Sequence, residues 1–509
     1  MNCLIGIDLG TSGTKTVLFD EAGKALASAM VEYPLHQPKN GWAEQDPADW
    51  WAACISTLRS VLADSGVPAV DIKGIGISGQ MHGLVMMDEK GEVIRNSIIW
   101  CDNRNIRECN EVTELVGAER LVEISANKAL VSYTAGKLLW VRNNELQNYE
   151  RCRKILLPKD YLRYKLTGEY AAEVSDAAGT NLLDVTKRIW SEEILEKLSI
   201  NPDWMPIVRE SYEIAGHVTT EAAALTGLAA GTPVVGGAGD NAAAAVGTGT
   251  VEEGKAFCTI GTSAVIFAHS DKVAIDPQGR VSSFCSAVPG GWTVMSCTMA
   301  AGLSLQWLRN QFFKEEMRAA EGLGWDTYRL LDQQAERVPI GANRLLFLPY
   351  LMGERCPHLD SNSRGVFFGL SAMHTKYDML RAVMEAVVYS QRDCLEALAS
   401  AGVVPTSIIA TGGGGTSPFW RQMLADILDL PVITVQNREG PALGAAILAG
   451  VGAGLYPNVQ AACKKLIHTN PEQLPIAANT AKYMPYYEMY HSLYPNLKSS
   501  FAKLAELEV

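Results

Sequence analysis

IGIDLGTSGTKTVLFD, Ile5 to Asp20, is the stretch whose reading decides the fold. A largely apolar run, Leu4 to Ile7, ends in Asp8, crosses Gly10, Thr11, Ser12 and Gly13, and resumes as Thr16, Val17, Leu18 and Phe19. Two short strands joined by small hydroxyl and glycine residues predict a β-hairpin. The turn offers backbone N–H groups and hydroxyls to an anion, and a phosphate can sit in such a nest without a dedicated positive charge. Asp8, at the end of the first strand, would repel a phosphate unless a hard cation lay between them. The pairing points to nucleotide phosphates with Mg2+, although a single GTSG turn is by itself more often an ordinary Gly-rich hairpin.

The same grammar recurs. A strand from Ala256 to Ile260, the turn Gly261-Thr262-Ser263 and a strand from Ala264 to Ala268 read as a weak internal duplication, with a domain boundary near residue 250. The 509 residues exceed one core and suit two domains of about 200 to 250 residues each. With 48% hydrophobic and 20% charged residues the chain is ordinary globular material. Its formal net charge of -12 disfavours nucleic acid as a partner. The 11 cysteines, an odd number without a CxxC pair, argue for reduced thiols and against a disulfide framework or a zinc site. No signal-peptide pattern opens the chain and no uncharged apolar run reaches about 18 residues. The expectation is a cytoplasmic protein with no membrane partner.

Between the two turns the chain reads as α/β. A third strand is predicted near Ala25 to Glu32, followed by a helix with Asp46 as N-cap, Pro47 at its first position and Asp49 in its first turn, running to about Leu62. A strand from Lys73 to Ser78 leads into GQMHG, Gly79 to Gly83, and a second hairpin, Leu84 to Trp100, delivers Cys101, Asp102, Asn103 and Arg104. Helices are expected at Ala135 to Asn144 and at Lys159 to Leu166, the latter closed by Gly168. In VVGGAGDNAAAAVGTG, Val234 to Gly249, a strand meets a glycine cluster and Asp240 and Asn241 open a small-residue helix. A carboxylate is thereby held at a strand end, where active sites of α/β proteins gather. Further on come a helix from Ala301 to Asn310, the loop YLMGERCPHLD, Tyr350 to Asp360, and a long helix, Tyr377 to Ala399. In ATGGGGTSPFWRQMLADIL, Ala410 to Leu428, four glycines follow a strand and precede a helix with Ser417 as N-cap and Pro418 first. Such a site lets a flat ligand lie on the backbone and favours anionic groups. Another small-residue helix begins at Glu439-Gly440-Pro441, and the tail beyond about Leu455 shows no chemistry.

SYTAGKLLWVRNN, Ser132 to Asn144, and GVFFGLSAMHTKYDMLRAVME, Gly365 to Glu385, meet two signatures in the expected order, and with them the chain resembles the FGGY carbohydrate kinases of the actin-like ATPase superfamily over nearly its whole length. The resemblance implies two actin-like (ribonuclease H-like) ATPase domains flanking a nucleotide cleft. Residues 1–250 would bind the sugar and carry the catalytic base, 251–455 would bind ATP, and 456–509 would form a helical tail. It implies ATP and Mg2+ as cofactors, a small sugar as substrate partner, a homodimer as a candidate assembly and a hinge near residue 250. Within the family, GQMHG, WAEQDP, LLPKDYLRYKLTGEY, VSDAAGT and FLPYLMGERCPHLD are similar to members that take a ketopentose, and glycerol-phosphorylating members carry a different pair where Met81 and His82 stand. Three departures are present: GGAGD for GGGD, GTSA for GTSG, and Cys356 where Thr is common. The first two keep the carboxylate and the hydroxyls.

By this resemblance Asp240 is the catalytic base for the attacking hydroxyl and also touches the substrate, and Asp8 orients hydrated Mg2+. Without it, Asp240 reads equally as a helix N-cap and Asp8 as a turn-stabilising residue. Gly10, Thr11, Ser12 and Gly13 would cradle the phosphates from one domain and Gly261, Thr262 and Ser263 from the other. Gly413, Gly414 and Ser417 resemble adenosine contacts, with Gly302 and Gln306 as weaker candidates in what is equally an ordinary amphipathic helix. Met81 and His82 resemble the sugar-contacting pair, with Asp102 and Asn241 as further polar partners; Met81 alone would pass for core filling. Trp50, Trp51, Trp140 and Trp420 are most simply packing aromatics. The rivals are a kinase of ribulose, gluconate or a polyol, a filament-forming or chaperone ATPase with the same nucleotide grammar, and a sugar sensor without catalysis.

Overall fold

Strands β1 (Cys3–Leu9) and β2 (Gly13–Asp20) form the expected hairpin, with Ile5 opposite Leu18, and β3 (Ala25–Glu32) adds antiparallel to β2. The computed structural model describes residues 1–437 and 439–507. Helix α1 (Pro47–Ser65) starts where its cap residues place it: the Asp46 carboxylate accepts the Ala48 N–H at 2.9 Å. On the other side of β1 lies β4 (Ile72–Gly79), parallel to it. Beyond come β5 (Ile214–His217) at the edge and β6 (Pro233–Val235) between, giving the order β5-β6-β4-β1-β2-β3. A short β7 (Ala238–Gly239) continues on the far end of β4.

The second sheet repeats this plan. Its strands are β8 (Lys255–Ile260), β9 (Ala264–Ser270), β10 (Ser282–Cys285), β11 (Trp292–Thr298), β12 (Ser407–Thr411) and β13 (Val432–Ile433), in the order β10-β11-β9-β8-β12-β13. In both sheets a central strand has a hairpin partner on one side, a third antiparallel strand beyond that, and parallel strands on the other side. The duplication read from two GTS turns is thus a duplication of sheet topology. Helix α2 (Asp240–Thr248) follows β7. In the second half, α3 (Gly302–Phe312), α4 (Lys376–Ser400), α5 (Pro418–Leu428) and α6 (Gly440–Gly452) follow, and α7 (Ala477–Ala505) closes the described chain.

The halves are joined by exchanged helices. Helix α6 lies on the first sheet: a Cβ at Gly6 would overlap the Ala442 carbonyl, and one at Gly76 the Ala445 carbonyl. Helix α2 lies against α6 and shares a core with Phe257, Phe267 and Ile409 of the second sheet. Small residues on both helices permit this approach, and the apolar area they remove from water holds it. Helix α7 packs Tyr483, Tyr487, Tyr490 and Phe501 into the core of the second half. Among the described residues no helix is long and apolar enough to cross a membrane, and all 11 cysteines are free.

The stretch Leu84 to Trp100 forms the expected hairpin in irregular form: Asp88 N–H bonds Glu92 O at 2.9 Å, Ile94 N–H bonds Met86 O at 2.9 Å and Leu84 N–H bonds Ile98 O at 3.0 Å, and each arm also pairs outward with a further strand. Val85–Met87 pairs with Lys154–Leu156, and Ser97–Ile98 with Glu44–Gln45. Val85, Met86 and Met87 are all buried, and an isolated two-stranded ribbon would leave one of their faces in water.

Gly76→Ala is expected to cost about 1–3 kcal/mol or more through overpacking against α6. A urea midpoint equal to that of the wild type would show that the helix does not depend on this approach.

Candidate active site

Three strands end side by side to build the centre of the site. Asp8 of β1 stands opposite Ser78 of β4, and Ser78 opposite Ala238 of β7; Asp240 follows two residues on. The Ser78 hydroxyl donates to Asp8 Oδ1 at 3.0 Å. Asp240 is the first residue inside α2, whose N-cap is Gly239, so it does not serve as the capping aspartate. Its Oδ1 accepts both the backbone N–H (2.7 Å) and the side-chain amide (3.0 Å) of Asn241, which leaves Oδ2 free. Both carboxylates are half-buried and each feels its surroundings. Burial pushes the Asp240 carboxyl up to about 7, and the Asp8 charge adds to that rise. Burial also raises Asp8, opposed by its Ser78 bond and by Lys15 opposite it on β2. Lys15 itself pairs with Glu439. Two acids that repel each other at the mouth of a phosphate-sized turn suit a hard cation. Among the described residues no group of three or more His, Cys, Asp or Glu side chains forms a metal cluster. A cation here would complete its shell with water and phosphate oxygens, as Mg2+ does.

Each half carries one such turn. In the first, Gly10 N–H bonds Gly13 O at 3.0 Å, while Gln45 holds the Thr11 carbonyl at 2.7 Å and the Tyr33 hydroxyl holds that of Gly10. The Thr11 hydroxyl accepts from Trp100 Nε1 at 2.9 Å, and Ser12 is exposed. In the second, Gly261 N–H bonds Ser263 O at 2.9 Å and Gly302 N–H bonds Gly261 O at 2.8 Å, which seats the start of α3 on the Gly261-Thr262-Ser263 turn. Gln306 is exposed one turn along α3. The glycine run lies on the neighbouring strand end, since Ile260 bridges Gly412 and a Cβ at Gly414 would come within 2.8 Å of the Ile260 side chain. Gly412–Thr416 is itself a helical turn, Gly413 is exposed, and Ser417 caps α5 by accepting Trp420 N–H at 3.3 Å.

Met81 and His82 form a wall beside Asp240. A Cβ at Gly239 would stand 2.7 Å from Met81 Cγ, so Met81 packs on the residue that precedes the acid. His82 has a positive φ of 69°, and its backbone is held at both ends. Its N–H donates to Asp176 Oδ1 at 3.1 Å, and its carbonyl accepts from Thr134 Oγ1 at 3.0 Å and Lys137 Nζ at 3.2 Å. Burial, then Lys137 and Arg355, hold the imidazole far below its ordinary pKa, so the ring is neutral near pH 7. Its Nδ1 is shut off from solvent against the Gly179 backbone, so it is not the ring atom that a sugar hydroxyl would meet. Asp102 is elsewhere engaged and corrects the expectation of a sugar contact. Its fully buried carboxylate is held by Arg104 Nη2 at 2.7 Å and by Ala43 N–H at 2.5 Å.

Three further residues complete the wall. The His82 ring meets Tyr133 edge-on at 4.9 Å and Phe284 of β10 at 6.0 Å, while Arg355 lies beside Tyr133 and Cys297. The second half therefore supplies part of the sugar side. Tyr133 and Arg355 fall inside SYTAGKLLWVRNN and FLPYLMGERCPHLD, stretches legible as family motifs without showing which side chain faces the pocket. Phe284 carries no sequence signal at all.

Residues 3–247 match the model of the N-terminal domain of the FGGY family of carbohydrate kinases, and residues 256–453 match that of its C-terminal domain. The chain is 39% identical over 498 residues to a xylulose kinase of Bacillus subtilis (strain 168), covering 98% of both chains. A crystal structure of xylulose kinase from Rhodospirillum rubrum superposes with a TM-score of 0.91 at 31% identity, covering 98% of this chain and 100% of that one. The gluconate kinase structure from Lactobacillus acidophilus also gives 0.91, at 28% identity, covering 99% of each.

A carboxyl whose folded-state pKa is raised adds stability that is complete below its unfolded pKa and is lost as pH rises through the folded value. For Asp240 that window runs from the ordinary carboxylate range to about 7. Asp240→Asn is therefore expected to raise the thermal midpoint, by more at pH 8 than at pH 5. A gain that is equal at both pH values would show that Asp240 is not charge-strained in the fold.

Proposed function

Because the chain belongs to the FGGY family of carbohydrate kinases, we propose that it phosphorylates D-xylulose at its terminal hydroxyl with ATP, giving D-xylulose 5-phosphate and ADP. The observation that carries this reading is the placement of Asp240 beside Asp8 at adjacent strand ends, with Met81 and His82 on its flank. Likeness to a xylulose kinase over the full length supports the choice of sugar.

The free Oδ2 of Asp240 takes the proton of the sugar hydroxyl while Asn241 keeps Oδ1 fixed. The hydroxyl oxygen bonds to the γ-phosphorus as the bond to the β–γ bridging oxygen breaks, and ADP leaves with that electron pair. Asp8 would hold Mg2+, through water, and the ion when bound neutralises charge on the phosphate oxygens. Gly10, Thr11, Ser12 and Gly13 would receive the phosphates from one side and Gly261, Thr262 and Ser263 from the other, with Gly302 behind the second turn. Gly413, Gly414 and Ser417 would border the adenosine, with Gln306 at the rim. His82, Met81 and Asn241 would hold the sugar. Residues 1–250 would form the sugar lobe and 251–455 the nucleotide lobe of this reading, with 456–509 as the C-terminal tail, and closure about residue 250 would exclude water as a competing acceptor. Cytoplasmic sugar metabolism is the setting this implies, with a homodimer as the assembly to test.

A second reading, phosphorylation of a sugar acid such as gluconate, draws support from the equally close fold of a gluconate kinase. A coupled ADP-release assay across ketopentoses, polyols and gluconate decides between them, and D-xylulose is expected to give the highest kcat/KM; a clear preference for another acceptor defeats the first reading. Asp240→Asn is expected to lower kcat by about 10²–10⁴-fold while sugar binding, read by calorimetry, persists. Turnover like that of the wild type would remove Asp240 from the role of base.

A further inference from the structure

The motif VSDAAGT, Val174 to Thr180, has no part in the chemistry above, yet its first turn touches both ends of the sugar site. In the turn Val174–Ala177, the Ser175 hydroxyl accepts the N–H of Gly239, the residue before Asp240, at 3.1 Å. One residue on, Asp176 Oδ1 accepts the N–H of His82 at 3.1 Å. The turn is in turn locked from beneath by Glu173. Its carboxylate accepts Ser175 N–H (2.8 Å), Ser175 Oγ–H (2.9 Å), Asp176 N–H (2.9 Å) and Ser211 Oγ–H (2.8 Å). Lys159, from LLPKDYLRYKLTGEY, pairs with Glu173 at 3.2 Å and with Asp160 at 2.6 Å. Arg163 joins Asp160 at 3.0 Å and donates to Gly236 O at 2.7 Å, on the segment that leads to Asp240.

All these ionic side chains are shut off from water, where dismantling one partner is costly and geometry is correspondingly rigid. Burial holds the Asp176 carboxyl well above the ordinary carboxylate range, opposed by Lys159 and by its bond to the His82 amide. The network could stabilise the fold anywhere; what singles it out is that two consecutive side chains of one turn hold the two backbone amides between which the sugar must fit.

We propose that Ser175 and Asp176 are positioning residues for phosphoryl transfer, and that this one turn sets the separation between Asp240, through Gly239, and the sugar-holding His82. The proposal rests on the kinase reading above and deepens it. Neither residue touches the substrate, so each acts on a different kinetic constant through the group it holds.

The test is steady-state kinetics of the full chain with the sugar that the wild type turns over best. Ser175→Ala is expected to lower kcat by about tenfold or more, as a base shifted by a fraction of an ångström does, with the sugar KM little changed. Asp176→Ala is expected to raise the sugar KM by about five- to tenfold, with the smaller effect on kcat. Asp176→Asn keeps an oxygen acceptor for the His82 amide and is expected to return most of that KM. Ser175→Cys, near in volume and a weak acceptor, replaces Ser175→Ala if the latter is insoluble. A turn that only held the fold together would lower the folded fraction of each variant and leave the constants of the folded enzyme alike; that result overturns the proposal. So does a kcat and a sugar KM that both stay within about twofold of the wild type in folded variants. Failure of the xylulose reading shows in the wild type alone, whereas failure here shows only in variants of an active wild type; a wild type that turns over no sugar overturns both.

Discussion

The repulsion between Asp8 and Asp240 is the constraint around which the centre of this protein is built. Burial raises the pKa of both carboxylates, and the Asp8 charge raises that of Asp240 further. The surroundings answer without cancelling the strain. Ser78 satisfies one oxygen of Asp8, Asn241 satisfies one oxygen of Asp240, and Lys15 is drawn toward Glu439 in place of forming a direct pair with Asp8. What remains is one acid primed to take a proton near neutral pH and another that gains by holding a cation. Environment has split two like groups into separate roles, as it does in other acid–base sites.

That arrangement needs the two halves to be rigid where they meet. The exchange of α2 and α6 provides this, because each helix is seated against the sheet of the other half. Close approach of backbone to backbone, over Gly6 and Gly76, gives extensive dispersion contact and no tolerance for a side chain. Asp240 opens one of these helices and Glu439 precedes the other. The parts that face phosphate are therefore mounted on the elements that join the halves, and a movement of one half against the other would be felt at the acids.

The sugar side is built differently. Its wall joins the aromatic faces of Tyr133 and Phe284 to an uncharged His82 and the Arg355 guanidinium. Both halves contribute, for Asn127 and Tyr133 of the first are bonded to Ser283 and Ser282 of β10 in the second.

The sequence by itself determined the local pieces: the hairpin around Gly10 to Gly13, the Asp46 cap, the Ser417 cap, the helix opening at Asp240 and the repeat at Gly261. These follow from neighbours in the chain, through turn chemistry, capping and the period of apolar residues, and they need no knowledge of what lies across the fold. Tertiary structure alone decided the partners. Leu84 to Trp100 reads as a hairpin and is one, but the strands its arms meet on their outer edges, Lys154–Leu156 and Glu44–Gln45, come from elsewhere in the chain, as does the Ala43 N–H that the Asp102 carboxylate accepts. The Ser78–Asp8, Asp176–His82 and Phe284–His82 contacts join residues 70, 94 and 202 positions apart. Side-chain type sets what a buried polar group can bond to, but which group reaches it depends on how sheets and helices pack, and that information is spread over the whole chain.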